Sequence, residues 1–143
     1  MREPVSRRLK DVPRIHLIEP VNYQQFVQLM LRSYLILTDS GGVQEEAAVL
    51  GKPTLVMRDT TERYEAVAAG TAVLVGTNPE RIVPAIEKLL REKTEHDRMS
   101  NSKSPFGDGF SAQRIVRILY ERLAGSSLPA ATEELREHKP VFS

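Results

Sequence analysis

Hydrophobic and polar positions along the chain follow two different periods. Short apolar runs rich in β-branched residues recur at Ile15-His16-Leu17-Ile18, Leu35-Ile36-Leu37-Thr38, Thr54-Leu55-Val56-Met57 and Ala72-Val73-Leu74-Val75. Runs of this length bounded by turn residues read as buried strands, near residues 14–18, 35–38, 54–57 and 72–75. Between them, apolar residues fall at helical spacing. One set is Tyr23, Phe26, Val27, Met30 and Leu31; a second is Ile82, Val83, Ile86, Leu89 and Leu90; a third is Ala112, Ile115, Val116, Leu119 and Leu123. Each set marks one face of an amphipathic helix. Shorter helices are expected over residues 42–50 and 62–69, with one or two turns at 95–101. Asn22 stands where a side-chain oxygen caps a helix start, and Pro79, just inside the start of the helix after Asn78, gives up an N–H that had no partner. Gly70 stands just past a helix end, a common place for glycine. Strands alternating with helices predict a parallel sheet of crossover units, an α/β Rossmann-like fold. No internal repeat is visible.

Composition narrows the class. The chain has 143 residues, 41% hydrophobic and 27% charged, enough for one core and too few for a two-domain enzyme with an interdomain cleft. It contains no cysteine, which excludes disulfides, thiolate metal sites and a cysteine nucleophile. No apolar run approaches the ~20 residues that span a bilayer. The opening Met-Arg-Glu-Pro-Val-Ser-Arg-Arg is too polar for a signal peptide, so a cytoplasmic location is expected. A net charge of +1 gives no bulk attraction to nucleic acid or membrane. Arg2, Arg7, Arg8, Lys10 and Arg14 read as a solvated helix face, because no aromatic residues are interleaved for base stacking. Residues 125–143 open on Gly-Ser-Ser, carry scattered charges and are expected to form a flexible tail.

The candidate chemistry lies in Thr38-Asp39-Ser40-Gly41-Gly42-Val43-Gln44-Glu45-Glu46-Ala47, between one predicted strand and the helix after it. Ligands of parallel sheets bind beyond the carboxyl ends of the strands, where this segment falls. Two adjacent glycines are expected to let the backbone turn sharply and approach a ligand with no Cβ in the way. The helix N–H groups and the positive end of the helix dipole then face that ligand. Such a site suits a phosphate or diphosphate. The alternative is steric, since small residues also join strands to helices with no ligand present.

Four further segments follow in order: Leu50-Gly51-Lys52-Pro53, Arg58-Asp59-Thr60-Thr61-Glu62-Arg63, Ala69-Gly70-Thr71 and Ser104-Pro105-Phe106-Gly107-Asp108-Gly109. Together with the glycine motif they resemble the carboxy-terminal half of the non-hydrolysing UDP-N-acetylglucosamine 2-epimerases, over about residues 1–123. The resemblance implies the nucleotide-binding half of a glycosyltransferase-B-like fold. It implies a UDP site in which Ser40, Gly41 and Gly42 meet the diphosphate, Glu46 accepts from the ribose hydroxyls and Arg63 forks onto a phosphate. Phe26 and the backbone of Val21 would lie near the uracil. On residues alone, Glu46 reads first as an exposed helix carboxylate, Phe26 as a core residue, and Arg63 as a salt-bridge partner of Asp59, Glu62 or Glu65. His16 reads as a packing histidine within its strand. Glu45 reads as structural.

The implied reaction inverts C2 of the sugar by anti elimination of UDP to a 2-acetamidoglucal and re-addition, with no cofactor and no metal. The resemblance further implies supply of cell-surface polysaccharide precursors. It leaves the acid–base residues on an amino-terminal domain, so no catalytic residue is assigned to this chain. Residues 1–124 are expected to be a UDP-binding domain lacking its first strand. A complementing amino-terminal domain or a homo-oligomer is the expected partner besides the UDP-sugar. Tyr64 replaces the proline that follows the family's arginine, Ala48-Val49 replaces Pro-Ser, and SPFGDG replaces NPYGDG. Three readings stay open: part of an epimerase, inactive alone; a UDP-binding module without catalysis; and a truncated product that binds nothing.

Overall fold

The computed structural model describes residues 2–124, so the expected tail over 125–143 lies outside the described residues. Three strands, β1 (Ile36–Thr38), β2 (Thr54–Val56) and β3 (Ala72–Leu74), form a parallel sheet in the order β1-β2-β3. Ile36 faces Thr54 and Thr54 faces Ala72, so the three strands start level and end level. Among the described residues seven helices accompany them: α1 (Arg2–Leu9), α2 (Tyr23–Arg32), α3 (Gly41–Val49), α4 (Tyr64–Ala68), α5 (Pro79–Arg91), α6 (Lys93–Ser100) and α7 (Ser111–Ala124). The parallel α/β class and three of the four expected strands are as the periodicity indicated.

The fourth expectation is corrected. Residues 15–20 form no strand, and residues 15–18 lie exposed. A strand persists only where a neighbour accepts its N–H and C=O groups. Within the described sheet no strand pairs with that run. His16 is accordingly a solvent-facing side chain rather than a packed one.

β2 is the central strand, and all three of its residues are buried. Because successive side chains on a strand point to opposite faces, Leu55 and Val56 seed two different clusters. Leu55 packs with Val75, Leu89 and Met99, joined by Leu35, Met57, Ile82 and Ile86, so α5 and α6 cover that face. Val56 packs with Ala66 and Ala72, joined by Leu74 and Phe106, so α4 and the loop before α7 cover the other.

The caps follow the sequence closely. Asn22 forms a complete capping box with Gln25, and the Asn78 side chain accepts from Glu80 N at 2.9 Å. Gly70 adopts φ +77 just past α4, a conformation open to glycine. One tertiary link closes α6 onto the start of β1. The Tyr34 and His96 rings stack at 3.8 Å, and His96 Nε2 lies 2.9 Å from the Tyr34 carbonyl.

Candidate functional site

β1 ends at Thr38, and the chain passes over the carboxyl edge of the sheet into α3. Ser40 is the N-cap: its backbone N–H donates to Thr38 Oγ1 at 3.1 Å, and its own Oγ accepts from Val43 N at 3.5 Å. The second bond is long, so Ser40 caps the helix weakly and its hydroxyl is only lightly engaged.

Gly41 and Gly42 are the first two residues of α3, and neither is among the residues of positive φ. The expected sharp glycine turn is therefore corrected: any L-residue can adopt this backbone. What the glycines supply is room. A Cβ on Gly42 would meet nothing within 4 Å, and one on Gly41 would meet only the Glu62 carboxylate. The N–H groups of a helix's first turn have no partner inside the helix. Of these, Val43 N–H is taken by Ser40 Oγ, while the open side of Gly42 and the positive end of the helix dipole leave the start of α3 suited to an anion.

Two arginines flank that space. Arg58 Nη1 donates to Glu62 Oε2 at 3.1 Å. The Glu62 carboxyl is held below its ordinary value by its own backbone N–H first, and then by Arg58 and Arg63. An ionised carboxylate thus stands over the start of α3, where a phosphate would compete with it. Arg63, just before α4, forms an ion pair through Nε with Glu45 of α3. That Nε is buried and makes no aligned hydrogen bond. The partner is not one of the acids adjacent in sequence: Asp59 pairs with Arg81 at 3.2 Å and Glu62 with Arg58.

Val21 and Glu46 come together elsewhere. With Tyr23, Gln25, Leu29, Glu45 and Phe106 among others, they line an open, mostly apolar cleft of 1110 Å³ between α2 and α3. The Glu46 carboxylate lies beside the Tyr23 hydroxyl and raises that phenol above its ordinary value. Phe26 is half-buried on α2 and does not line the cleft, so the structure gathers Val21 with Glu46 and leaves Phe26 aside.

Three participants were not assigned roles from the sequence. Tyr23 sat in the apolar helix pattern, yet it is largely exposed and engages Glu46. Gln44 is 0% exposed and Thr61 3%, and the Thr61 hydroxyl donates to Gln44 Oε1 at 2.9 Å. A signal for Gln44 existed: it precedes Ala47 and Ala48 by three and four residues, which puts all three on one helix face. Nothing in the sequence singled out Thr61 from Thr60.

A parallel sheet with a glycine-opened helix start at its carboxyl edge defines a Rossmann-like α/β domain. The model of the UDP-N-acetylglucosamine 2-epimerase family matches residues 1–120, and the chain belongs to that family. It is 56% identical over 117 residues to the UDP-N-acetylglucosamine 2-epimerase of Yersinia pestis, covering 82% of this chain and 31% of that protein. It is 55% identical over 119 residues to that of Escherichia coli K12, covering 83% and 32%. Among solved structures, it superposes on the S. aureus MnaA–UDP co-structure with a TM-score of 0.81 and 42% identity, over 86% of this chain and 34% of that one. The Neisseria meningitidis enzyme bound to UDP-GlcNAc gives 0.79 and 48%, over 84% and 32%. These neighbours carry the glycosyltransferase-B-like fold, of which the chain forms a part. The chain spans about a third of the length of the relatives it matches.

Proposed function

We propose that this chain is the UDP-binding portion of a UDP-N-acetylglucosamine 2-epimerase. The observation that carries the reading is the helix start at Ser40, Gly41 and Gly42, open at Gly42 and flanked by Arg63, which pairs with Glu45 of α3, at the carboxyl edge of the sheet. In this reading the first-turn N–H groups and the Ser40 hydroxyl bind diphosphate oxygens. Arg63 adds its outer guanidinium nitrogens, which form a planar fork suited to phosphate. Glu46 turns from Tyr23 to the ribose hydroxyls, and the base enters the cleft beside Val21. Phe26 contributes by packing α2 rather than by direct contact.

The reaction so supported breaks the anomeric C–O bond, and UDP leaves with the electron pair. Loss of the C2 proton completes a 2-acetamidoglucal. UDP then adds back as C2 is reprotonated from the opposite face, giving UDP-N-acetylmannosamine. The sequence is redox-neutral. Donors around the diphosphate stabilise the charge that develops on departing UDP and keep it in place. A base must lie within hydrogen-bond reach of the C2 proton. Glu45 pairs with Arg63 and Glu62 with Arg58, and in this reading Glu46 holds the ribose. In this reading the base belongs to a complementing amino-terminal portion, and the chain alone is inactive. Ile115, Val116, Ile118 and Leu119 of α7 are all exposed, which supports association with that portion or with a second copy. A cytoplasmic setting in the supply of cell-surface polysaccharide fits this reading. Among the described residues no helix is long and apolar enough to cross a membrane.

Isothermal titration of the purified chain with UDP, UMP and uridine tests the reading. UDP is expected to bind at least tenfold more tightly than UMP, since the second phosphate adds charge-assisted bonds. Absence of UDP binding, or equal affinity for UDP and UMP, would overturn it.

A further inference from the structure

We propose that Gln44 and Thr61 are positioning residues for the diphosphate, locking the start of α3 and Arg63 into one relative geometry. The proposal deepens the UDP-binding reading and rests on it. Ser40 and Arg63 belong to different elements, and nothing in their own local structure sets the distance between them. Arg63 occupies the N-cap position of α4 without making a side-chain cap. Most of the loop before it is half-buried or exposed, with Thr61 as the buried exception.

A continuous hydrogen-bond path joins the two. Ser40 N–H donates to Thr38 Oγ1 at 3.1 Å, at the end of β1. Gln44 Nε2 donates to the Ser40 carbonyl at 3.2 Å. Gln44 Oε1 accepts from the Thr61 hydroxyl at 2.9 Å, and Thr61 Oγ1 accepts from Arg63 N–H at 3.1 Å. The buried Gln44 amide thus has a partner at each end, as a group removed from water requires. Ala47, Ala48 and Val56 are also buried in this region, and packing alone would be met by an apolar pair of the same shape. Hydrogen bonds add direction, and direction is what a two-element oxyanion cradle needs. The Glu45–Arg63 ion pair completes the arrangement from the side-chain end, holding Nε and leaving the outer nitrogens to a ligand.

Thr61→Val keeps the shape and deletes both hydrogen bonds of the hydroxyl, whereas Thr61→Ser keeps them. UDP and uridine are titrated into the full 143-residue chain carrying each substitution, alone and with Arg63→Ala. The proposal expects Thr61→Val to weaken UDP at least tenfold with uridine binding unchanged, and Thr61→Ser to stay within about twofold of wild type. It expects Thr61→Val to add nothing once Arg63 is alanine, because the pair acts as one unit. Wild-type UDP affinity in a folded Thr61→Val chain overturns the proposal, and so do equal losses for UDP and uridine. A wild-type chain that binds no UDP overturns the functional reading first, and so the two failures are distinguishable. Should Thr61→Val not fold, hydrogen exchange of the Arg63 amide in the wild type decides. Slow exchange both with and without UDP supports a preformed relay, and unprotected exchange in the free chain overturns it.

Discussion

Replacing Gly42 by alanine separates folding from binding at this site. The Gly42 backbone has no positive φ, the residue lies in the first turn of α3, and a Cβ there would meet nothing within 4 Å. Alanine costs the free protein no steric energy. It restricts the unfolded chain and has the better helix propensity, which together stabilise by about 0.4–1 kcal/mol. At the upper end that is a rise in Tm of roughly 2–4 °C for a chain of this size. With UDP the same methyl occupies the place where a phosphate oxygen approaches the first-turn N–H groups. Losing one hydrogen bond to a charged acceptor costs about 1.5–3 kcal/mol, a loss of roughly ten- to a hundredfold in affinity. Urea or thermal unfolding gives the first quantity, and calorimetric titration with UDP gives the second. A variant as stable as expected with undiminished UDP affinity would place the anion elsewhere and refute the reasoning.

Other outcomes follow from the same geometry. Glu46→Ala, at a partly exposed residue beside Tyr23, is expected to weaken UDP by about 1–3 kcal/mol with little change in urea midpoint. Unchanged affinity returns Glu46 to a surface role. Glu62→Gln removes the carboxylate standing over Gly41 and is expected to tighten UDP several-fold, read by the same titration; weaker binding would show that Glu62 supports the site. Arg98 holds the Glu95 carboxyl at about 2, below its ordinary 4.5. The Glu95–Arg98 contribution to stability is therefore fully present above about pH 4.5 and is lost as pH falls through 2. Carboxyl NMR should show Glu95 titrating near 2 in the wild type and higher in Arg98→Ala, where Lys88 alone still lowers it. The pure chain, incubated with UDP-N-acetylglucosamine in deuterated water, is expected to give neither C2 deuteration nor mannosamine signals. Turnover without an added partner would mean that a carboxylate assigned to binding is the base.

The helices and the central sheet were legible because their signals are local. Asn22, Pro79 and Gly70 mark their elements through chemistry that acts within a turn. The run at residues 15–18 misled because apolar β-branched composition expresses a capacity to pair, while pairing depends on a neighbour elsewhere in the chain. The glycine motif lies at the carboxyl edge of the sheet, as its place after a strand indicated, but Gly41 and Gly42 need no special backbone, and what distinguishes Gly42 is the open space around it. Arg63 shows the limit most clearly. Sequence proximity pointed to Asp59, Glu62 or Glu65, but folding brings Glu45 against it. The Gln44–Thr61 bond is invisible for the same reason, since it joins a helix to a loop 17 positions away.

The most direct test of the account is an amide NMR titration of the isotopically labelled chain with UDP. The account expects saturable shifts at Ser40, Gly41, Gly42, Val43, Glu46 and Arg63, with α5 and α6 unmoved on the far face of the sheet. Saturable shifts confined to other elements, or no shift at millimolar UDP, would contradict it.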